Sequence, residues 1–370
     1  MKILSIIGTR PEAIKMAPLL QELSMRGGGV ISKCCVTAQH RELLDQVLCL
    51  FGIAPDYDLN VMTENQSNAE VASKVFDKLD AVIRAERPDW VLVQGDTTTV
   101  AAASLVSFYN RVGVGHVEAG LRTGDRNQPF PEEINRRVAG VVADVHFAPT
   151  ESARRNLLGE GVPDEGIVVT GNTVVDALRW VLKQPFDCGS GPLKGMPWQK
   201  RIILVTAHRR ENFGKPLRDI CRALKEIAAG APDAHIVYPV HPNPNIRDVV
   251  HGALENVENI TLLPPLDYLA LSHLASRSFL IMTDSGGIQE EAPSLGKPVL
   301  ILRDRTERPE GVDAGVAKLV GTNAARIVKE VRRLMGDAGA YQSMVSGENP
   351  YGDGLASARI VRTLLDRMRK

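Results

Sequence analysis

Short apolar runs alternate with longer amphipathic stretches along almost the whole chain. The runs at 3–7, 32–36, 90–94, 113–117, 145–148 and 167–169 have the length and composition of buried strands. A second set follows at 201–205, 235–239, 260–263, 279–282, 298–302 and 317–319. Segments of about ten to twenty residues with helical spacing separate most of them. Parallel strands need a long crossover, usually a helix, so this rhythm predicts βαβ units and parallel sheets covered by helices on both faces.

The interval 183–200, KQPFDCGSGPLKGMPWQK, is rich in Gly and Pro and interrupts the alternation. It reads as a linker between halves that open alike. KILSIIGTRPEAI and RIILVTAHRRENFG are each a strand, a basic loop and the start of a helix. The expected fold class is α/β, with two Rossmann-like, doubly wound parallel-sheet domains facing a cleft. The expected boundaries are 1–182 and 201–355, with a surface helix at 356–370, basic toward its end, packing back on the first domain. Ligands of such sheets bind outside the carboxyl ends of the strands. The polar loops after the predicted strands are therefore where chemistry is expected.

Composition agrees with two cores. The chain has 370 residues and 44% apolar content, more than one core normally absorbs. Lys plus Arg and Asp plus Glu both number 44, which argues against a nucleic-acid or membrane-surface binder but leaves room for a local anion pocket. The five cysteines, Cys34, Cys35, Cys49, Cys188 and Cys221, form no C-x-x-C pair and suit a reduced compartment. The first apolar run ends at Gly8-Thr9-Arg10-Pro11, too short for a signal-peptide core, and no window approaches a membrane span. A cytoplasmic location is the expectation.

In the strand-end loops, Ser285-Gly286-Gly287 is either a phosphate cradle at a helix mouth or a tight turn capped by Ser285. Glu291, just beyond, suits neutral hydroxyls such as a ribose pair, or is a surface Glu favoured by the helix dipole. Gly8-Thr9-Arg10-Pro11-Glu12 is the matching loop of the first half. Arg10 is a candidate anion partner with Lys15 a turn further on, unless Arg10 pairs with Glu12 and Lys15 is solvated. VQGDTTT ends a strand with Asp96, and VGVGHVEAGLRTGD places Glu118 at the next strand end. Gly113 and Gly115 mimic a dinucleotide fingerprint, but its third glycine is replaced by Glu118, so no nicotinamide site is expected. His116 and Glu118 lack a third ligand of suitable spacing, and no metal is assigned. QPFPEEINRR starts a helix after Pro131 with the i,i+4 pairs Glu132–Arg136 and Glu133–Arg137. His208, with Arg209 and Arg210, and His241 end two strands of the second half. Carboxylates in one half with histidines and arginines in the other suit proton removal from carbon while an anion leaves.

The motifs GTRPEAIKMAPL, TAQHRELLDQVL, VQGDTTT, GHVEAGLRT, PFPEEINRR, TGNTVVDAL, TAHRREN, HPNP, TDSGGIQEEAPSLGKPVLILRDRTERPEG and LVGT occur in this order across nearly the whole chain. Together they resemble the non-hydrolysing UDP-N-acetylglucosamine 2-epimerase family, which has the GT-B fold. The resemblance implies interconversion of UDP-N-acetylglucosamine and UDP-N-acetylmannosamine with no cofactor, through elimination of UDP to 2-acetamidoglucal and re-addition. It implies a UDP-sugar as the partner and a homodimer. Asp96, Glu118 and Glu132 become acid/base carboxylates, and His208 assists near the leaving phosphate. Arg10, Lys15, Arg136, His241, Ser285, Gly286, Gly287 and Arg308 would bind diphosphate or sugar, and Glu291 the ribose. Two positions depart from the pattern. Leu271 stands where some members carry an aromatic near the uracil. Asn65 stands where members activated by their own substrate tend to carry Arg, although Gln39, His40 and Arg210 keep other parts of that allosteric pocket. The competing readings are a hydrolysing 2-epimerase, a GT-B glycosyltransferase and a non-catalytic sugar-nucleotide sensor.

Overall fold

The computed structural model describes residues 1–27, 29–37, 41–63 and 66–367. Gln39, His40 and Asn65, the residues behind the expected allosteric pocket, lie outside them. The chain divides into two compact units, Met1–Trp180 with Tyr351–Lys370, and Val181–Pro350. No helix among the described residues is long and apolar enough to cross a membrane.

The first unit is built on a parallel sheet of seven strands, β1 (Lys2–Ile7), β2 (Ile31–Val36), β3 (Tyr57–Asp58), β4 (Trp90–Gln94), β5 (Gly113–Val117), β6 (Val145–Ala148) and β7 (Ile167–Val169). Their order is β3-β2-β1-β4-β5-β6-β7, so the winding reverses between β1 and β4. Ile3 through Ile7 are all buried, because helices cover both sheet faces. On one face Leu4, Ile6, Val91 and Val93 pack with Val75, Leu79 and Ile83 of the helix Asn68–Glu86. β3 was not expected from the sequence. It is a two-residue edge strand with no apolar run to announce it.

The terminal helix Ala356–Arg367 belongs to this unit and buries Ile360, Val361 and Leu364. It is held at its start, where Asp176 Oδ1 accepts the Ser357 N–H at 2.8 Å. Just before it, the Asn172 N–H donates to the Tyr351 carbonyl at 2.8 Å. Gly171 and Gly352 permit this crossing. Both have positive φ, and a Cβ on Gly352 would lie 3.0 Å from the Gly171 backbone.

The second unit carries a parallel sheet of six strands, β8 (Arg201–Thr206), β9 (Ala234–Pro239), β10 (Ile260–Leu263), β11 (Leu280–Thr283), β12 (Val299–Ile301) and β13 (Ala317–Leu319). Their order is β10-β9-β8-β11-β12-β13, with the reversal between β8 and β11. Successive strand residues feed opposite faces. Ile203 and Val205 join Ile220, Leu224 and Ile327, while Ile202 and Leu204 join Leu274, Val299 and Leu193. The Gly/Pro-rich interval lies within this unit. Leu193 is fully buried, Phe186 stacks on His273 with centroids 4.8 Å apart, and Arg277 sits over Trp198 at 5.5 Å.

Candidate active site

Each reversal of winding is where ligands of such sheets bind, and Arg10, Asp96, His208 and Ser285 follow the four strands that flank the two reversals. In the first unit the helix Arg10–Met25 follows β1 with Thr9 at its N-cap and Pro11 in the first turn. Arg10 is the first helical residue and is half-buried. Glu12 is buried and reaches back to the N–H groups of Gly8 and Thr9, the second at 3.3 Å. Burial raises its pKa to about 7, although bonds from Thr97, Gly8 and Thr9 favour the anion.

Lys15, a turn further, is also buried and forms an ion pair with Glu118 from the end of β5. Glu118 has φ of +63°, a left-handed conformation that persists in a non-glycine residue only when its surroundings hold it. The hold is visible: Lys15 Nζ and Asn172 Nδ2, the latter at 3.0 Å, both donate to Oε2. Asn172 is itself fixed by Tyr351, so the returning C-terminal segment helps to aim Glu118.

Asp96 follows β4 and pairs with Arg136 of the helix Glu132–Val142. The helix is entered through Gln128–Pro129 and Phe130–Pro131, both cis. Of the two expected i,i+4 pairs, Glu133–Arg137 forms, at 3.3 Å. Arg136 does not close on Glu132. It turns to Asp96, to wholly buried Glu133 at 3.4 Å and to the Leu121 carbonyl at 3.3 Å, because position 136 lies on the buried face of the helix. Glu132 Oε2 is left buried with no hydrogen-bond partner.

His116 is buried against the main chain. Its Nε2 is 2.7 Å from the Gly95 carbonyl, bracing the turn that carries Asp96, and burial pushes its pKa down to about 3. The nearby glycines answer to strand packing. A Cβ on Gly115 would lie 2.6 Å from Leu92, and one on Gly113 3.0 Å from the Trp90 ring.

In the second unit His208 follows β8 and Asp284 follows β11. Asp284 is wholly buried, and its Oδ2 accepts the N–H groups of His208 and Arg209 and the Asn212 amide, each at 2.9 Å. The His208 ring lies nearly parallel to that of His241, with centroids 5.7 Å apart. His241 Nδ1 accepts the Asn243 N–H at 3.1 Å, which leaves the neutral ring's proton on Nε2. Arg210 is exposed and opens a short 3-10 turn to Asn212.

Ser285 occupies the N-cap of the helix Gly286–Glu291, but its side chain does not close the cap. Gly286 lies beneath the Arg308 guanidinium, where a Cβ would come within 2.9 Å of Cζ. Arg308 Nε donates to buried Glu290 at 2.8 Å, and its Nη1 is 3.0 Å from Glu307. Burial works to raise the pKa of Glu307, but Arg308, Arg209 and Arg303 outweigh it and pull it down to about 2. Glu291 accepts from the Tyr268 hydroxyl at 3.2 Å. Leu271 packs against the apolar cluster around Leu274.

Sequence reading passed over Asn172 and Tyr268, gave Asp284 and Glu290 no role, saw Glu133 only as the partner of Arg137, and left Glu12 as no more than a partner for Arg10. Glu12 was legible in principle, since Thr9-x-x-Glu12 has capping-box spacing. The others needed a third dimension.

Two doubly wound, wholly parallel α/β units in one chain, each with polar residues at its switch point, define a GT-B-type protein. A family model described as UDP-N-acetylglucosamine 2-epimerase matches residues 24–365, and the chain belongs to that family. A UDP-N-acetylglucosamine 2-epimerase of Salmonella typhimurium is 54% identical over 370 residues, covering 98% of each chain. A Neisseria meningitidis UDP-GlcNAc 2-epimerase, solved bound to UDP-GlcNAc, is 49% identical with a TM-score of 0.91, over 99% of this chain and 100% of that one. An S. aureus protein solved with UDP is 48% identical with a TM-score of 0.91, over 100% and 97%.

Proposed function

We propose that this chain interconverts UDP-N-acetylglucosamine and UDP-N-acetylmannosamine without hydrolysing them. The observation that carries the reading is the set of buried or half-buried carboxylates at the ends of β4 and β5 and on the next helix, two of them matched to the cations Arg136 and Lys15. A site that only bound a UDP-sugar would have little use for such a cluster. The first unit is assigned the sugar chemistry, with Asp96, Glu118 and Glu132 as the acid/base group. One carboxylate takes the C2 proton while the C1–O bond breaks and its electron pair leaves with UDP, giving 2-acetamidoglucal. A carboxylic acid then delivers a proton to the opposite face of C2, and UDP adds back to C1.

The second unit is assigned the nucleotide. Ser285, Gly286, Gly287 and Arg308 take the diphosphate, His208 and His241 its leaving oxygens, and Glu291 the ribose hydroxyls. Arg10 and Arg136 supply positive charge to the sugar-phosphate end. The reading includes a cytoplasmic homodimer. Phe108 and Tyr109, which expose 61% and 68% of their surface at one helix end, are its candidate contact.

Incubation with UDP-N-acetylglucosamine in D2O tests the reaction by NMR. Deuterium at C2 in both intact UDP-sugars is the expected result. Free N-acetylmannosamine would identify a hydrolysing enzyme, and absence of exchange would leave a transferase or a sensor. Asp96→Asn and Glu118→Gln should each cut turnover about a hundredfold or more while UDP binding is retained. Near-wild-type turnover in either variant removes that residue from the mechanism.

A further inference from the structure

The two oxygens of Asp284 do different work. Oδ2 collects all three hydrogen bonds, from the His208 and Arg209 N–H groups and from Asn212 Nδ2. Oδ1 is buried, accepts no hydrogen bond and lies 3.6 Å from His208 Nδ1. A carboxylate needed only to hold the loop would gain by sharing its donors between both oxygens. Here one oxygen is kept dry beside an imidazole.

We propose that Asp284 is the positioning residue for His208: Oδ2 fixes the loop, and Oδ1 holds the ring as its Nδ1–H tautomer, so that Nε2 is the nitrogen offered to the departing phosphate. The inference rests on the assignment of His208 to the leaving-group side of the reaction. In a neutral imidazole one nitrogen donates and the other accepts, and an anionic acceptor beside Nδ1 selects the Nδ1–H form. A small rotation of the ring closes 3.6 Å to hydrogen-bond length. The same anion favours the imidazolium.

Several groups face the ring. Desolvation lowers its proton affinity most, although 40% of the side chain stays exposed; Asp284 raises it, and His241 and Arg209 lower it. His241 is set the opposite way by Asn243, with its proton on Nε2. The two near-parallel rings thus present one Nε2 acceptor and one Nε2–H donor. Once protonated, His208 gives its Nε2 proton to the β-phosphate oxygen as the C1–O bond breaks, and recovers it when that oxygen re-adds.

The tautomer is read in the wild-type protein by 15N NMR of labelled histidines, with His208 identified by its loss in His208→Gln. The expected neutral form has Nδ1 protonated and Nε2 bare, and the reverse tautomer overturns the proposal. In kinetics, Asp284→Asn keeps the shape and removes the charge. The limb of the kcat/KM profile that titrates with His208 should then move to lower pH. The value of kcat should fall about tenfold or more with UDP affinity little changed. In a His208→Gln background Asp284→Asn should cost almost nothing further. Additive losses with an unmoved limb assign Asp284 to the loop alone and overturn the inference. Wild-type turnover in His208→Gln would instead remove His208 from the reaction, and the NMR result would still decide the tautomer.

Discussion

Gly286→Ala probes the tightest contact in the proposed nucleotide site. The added Cβ would stand 2.9 Å from Arg308 Cζ, 3.1 Å from Nη1 and 3.2 Å from Nε, while ordinary contact begins near 3.4 Å. The guanidinium would have to retreat by roughly half an ångström. It cannot do so freely, because Nε is bonded to Glu290 at 2.8 Å and Nη1 lies 3.0 Å from Glu307. Glu290 is only 1% exposed, so a stretched or broken bond there is not repaired by water. A hydrogen bond to a charged group contributes about 1.5–3 kcal/mol, which corresponds to roughly ten- to a hundredfold in UDP affinity if Arg308 leaves its place over the diphosphate. Calorimetric titration with UDP measures the affinity, and urea unfolding measures stability. Gly287→Ala is the steric control for stability, since its Cβ would meet only Ser285 Oγ, at 4.0 Å. If Gly286→Ala binds UDP within twofold of wild type and unfolds like Gly287→Ala, the account of Arg308 pinned over Gly286 is wrong.

Glu12→Gln tests the buried carboxyl beside Asp96. A folded pKa raised to about 7 contributes stability that is present below the unfolded value near 4.5 and lost as pH rises through 7. The variant should therefore gain on wild type between pH 5 and pH 8, by up to about 3 kcal/mol in urea unfolding, and an unchanged difference would refute the shift. His116→Gln has the opposite pH signature. With its folded pKa held near 3, His116 contributes stability above pH 6.5 that is lost as pH falls toward 3, so the variant's stability should decline less steeply between pH 6 and 4. The difference is up to about 1.4 kcal/mol per pH unit for one proton, and parallel curves would count against it. If the proposed homodimer forms through Phe108 and Tyr109, Tyr109→Asp should sediment as a monomer where wild type sediments as a dimer; a variant dimer would place the contact elsewhere, and a monomeric wild type would remove the homodimer from the reading.

The parallel sheets were legible because their strands are buried on both faces and must be apolar at nearly every position. Ile3 to Ile7 and Leu280 to Met282 therefore stand out from the amphipathic helices around them. The rule fails where it should, at Tyr57–Asp58, whose pairing with Cys35 and Val36 at a sheet edge requires no apolar run. The loops carrying Asp96, Glu118, His208 and Ser285 were legible for a related reason. Polar and glycine residues directly after such a strand fall at the mouth of the sheet, and strand order decides only which mouths matter.

What the sequence alone determined was the kind of chemistry available at each strand end. What only the tertiary structure decided was pairing. Arg136 has Glu132 four residues before it and binds Asp96. Glu118 adopts a backbone conformation foreign to its residue type because Lys15, and Asn172 anchored by Tyr351, hold it there. Gly113 and Gly115 imitate a phosphate loop and serve Trp90 and Leu92. Local propensity and burial are written in short windows of residues. Charge pairing between groups far apart in the chain depends on which windows the folded sheets bring side by side.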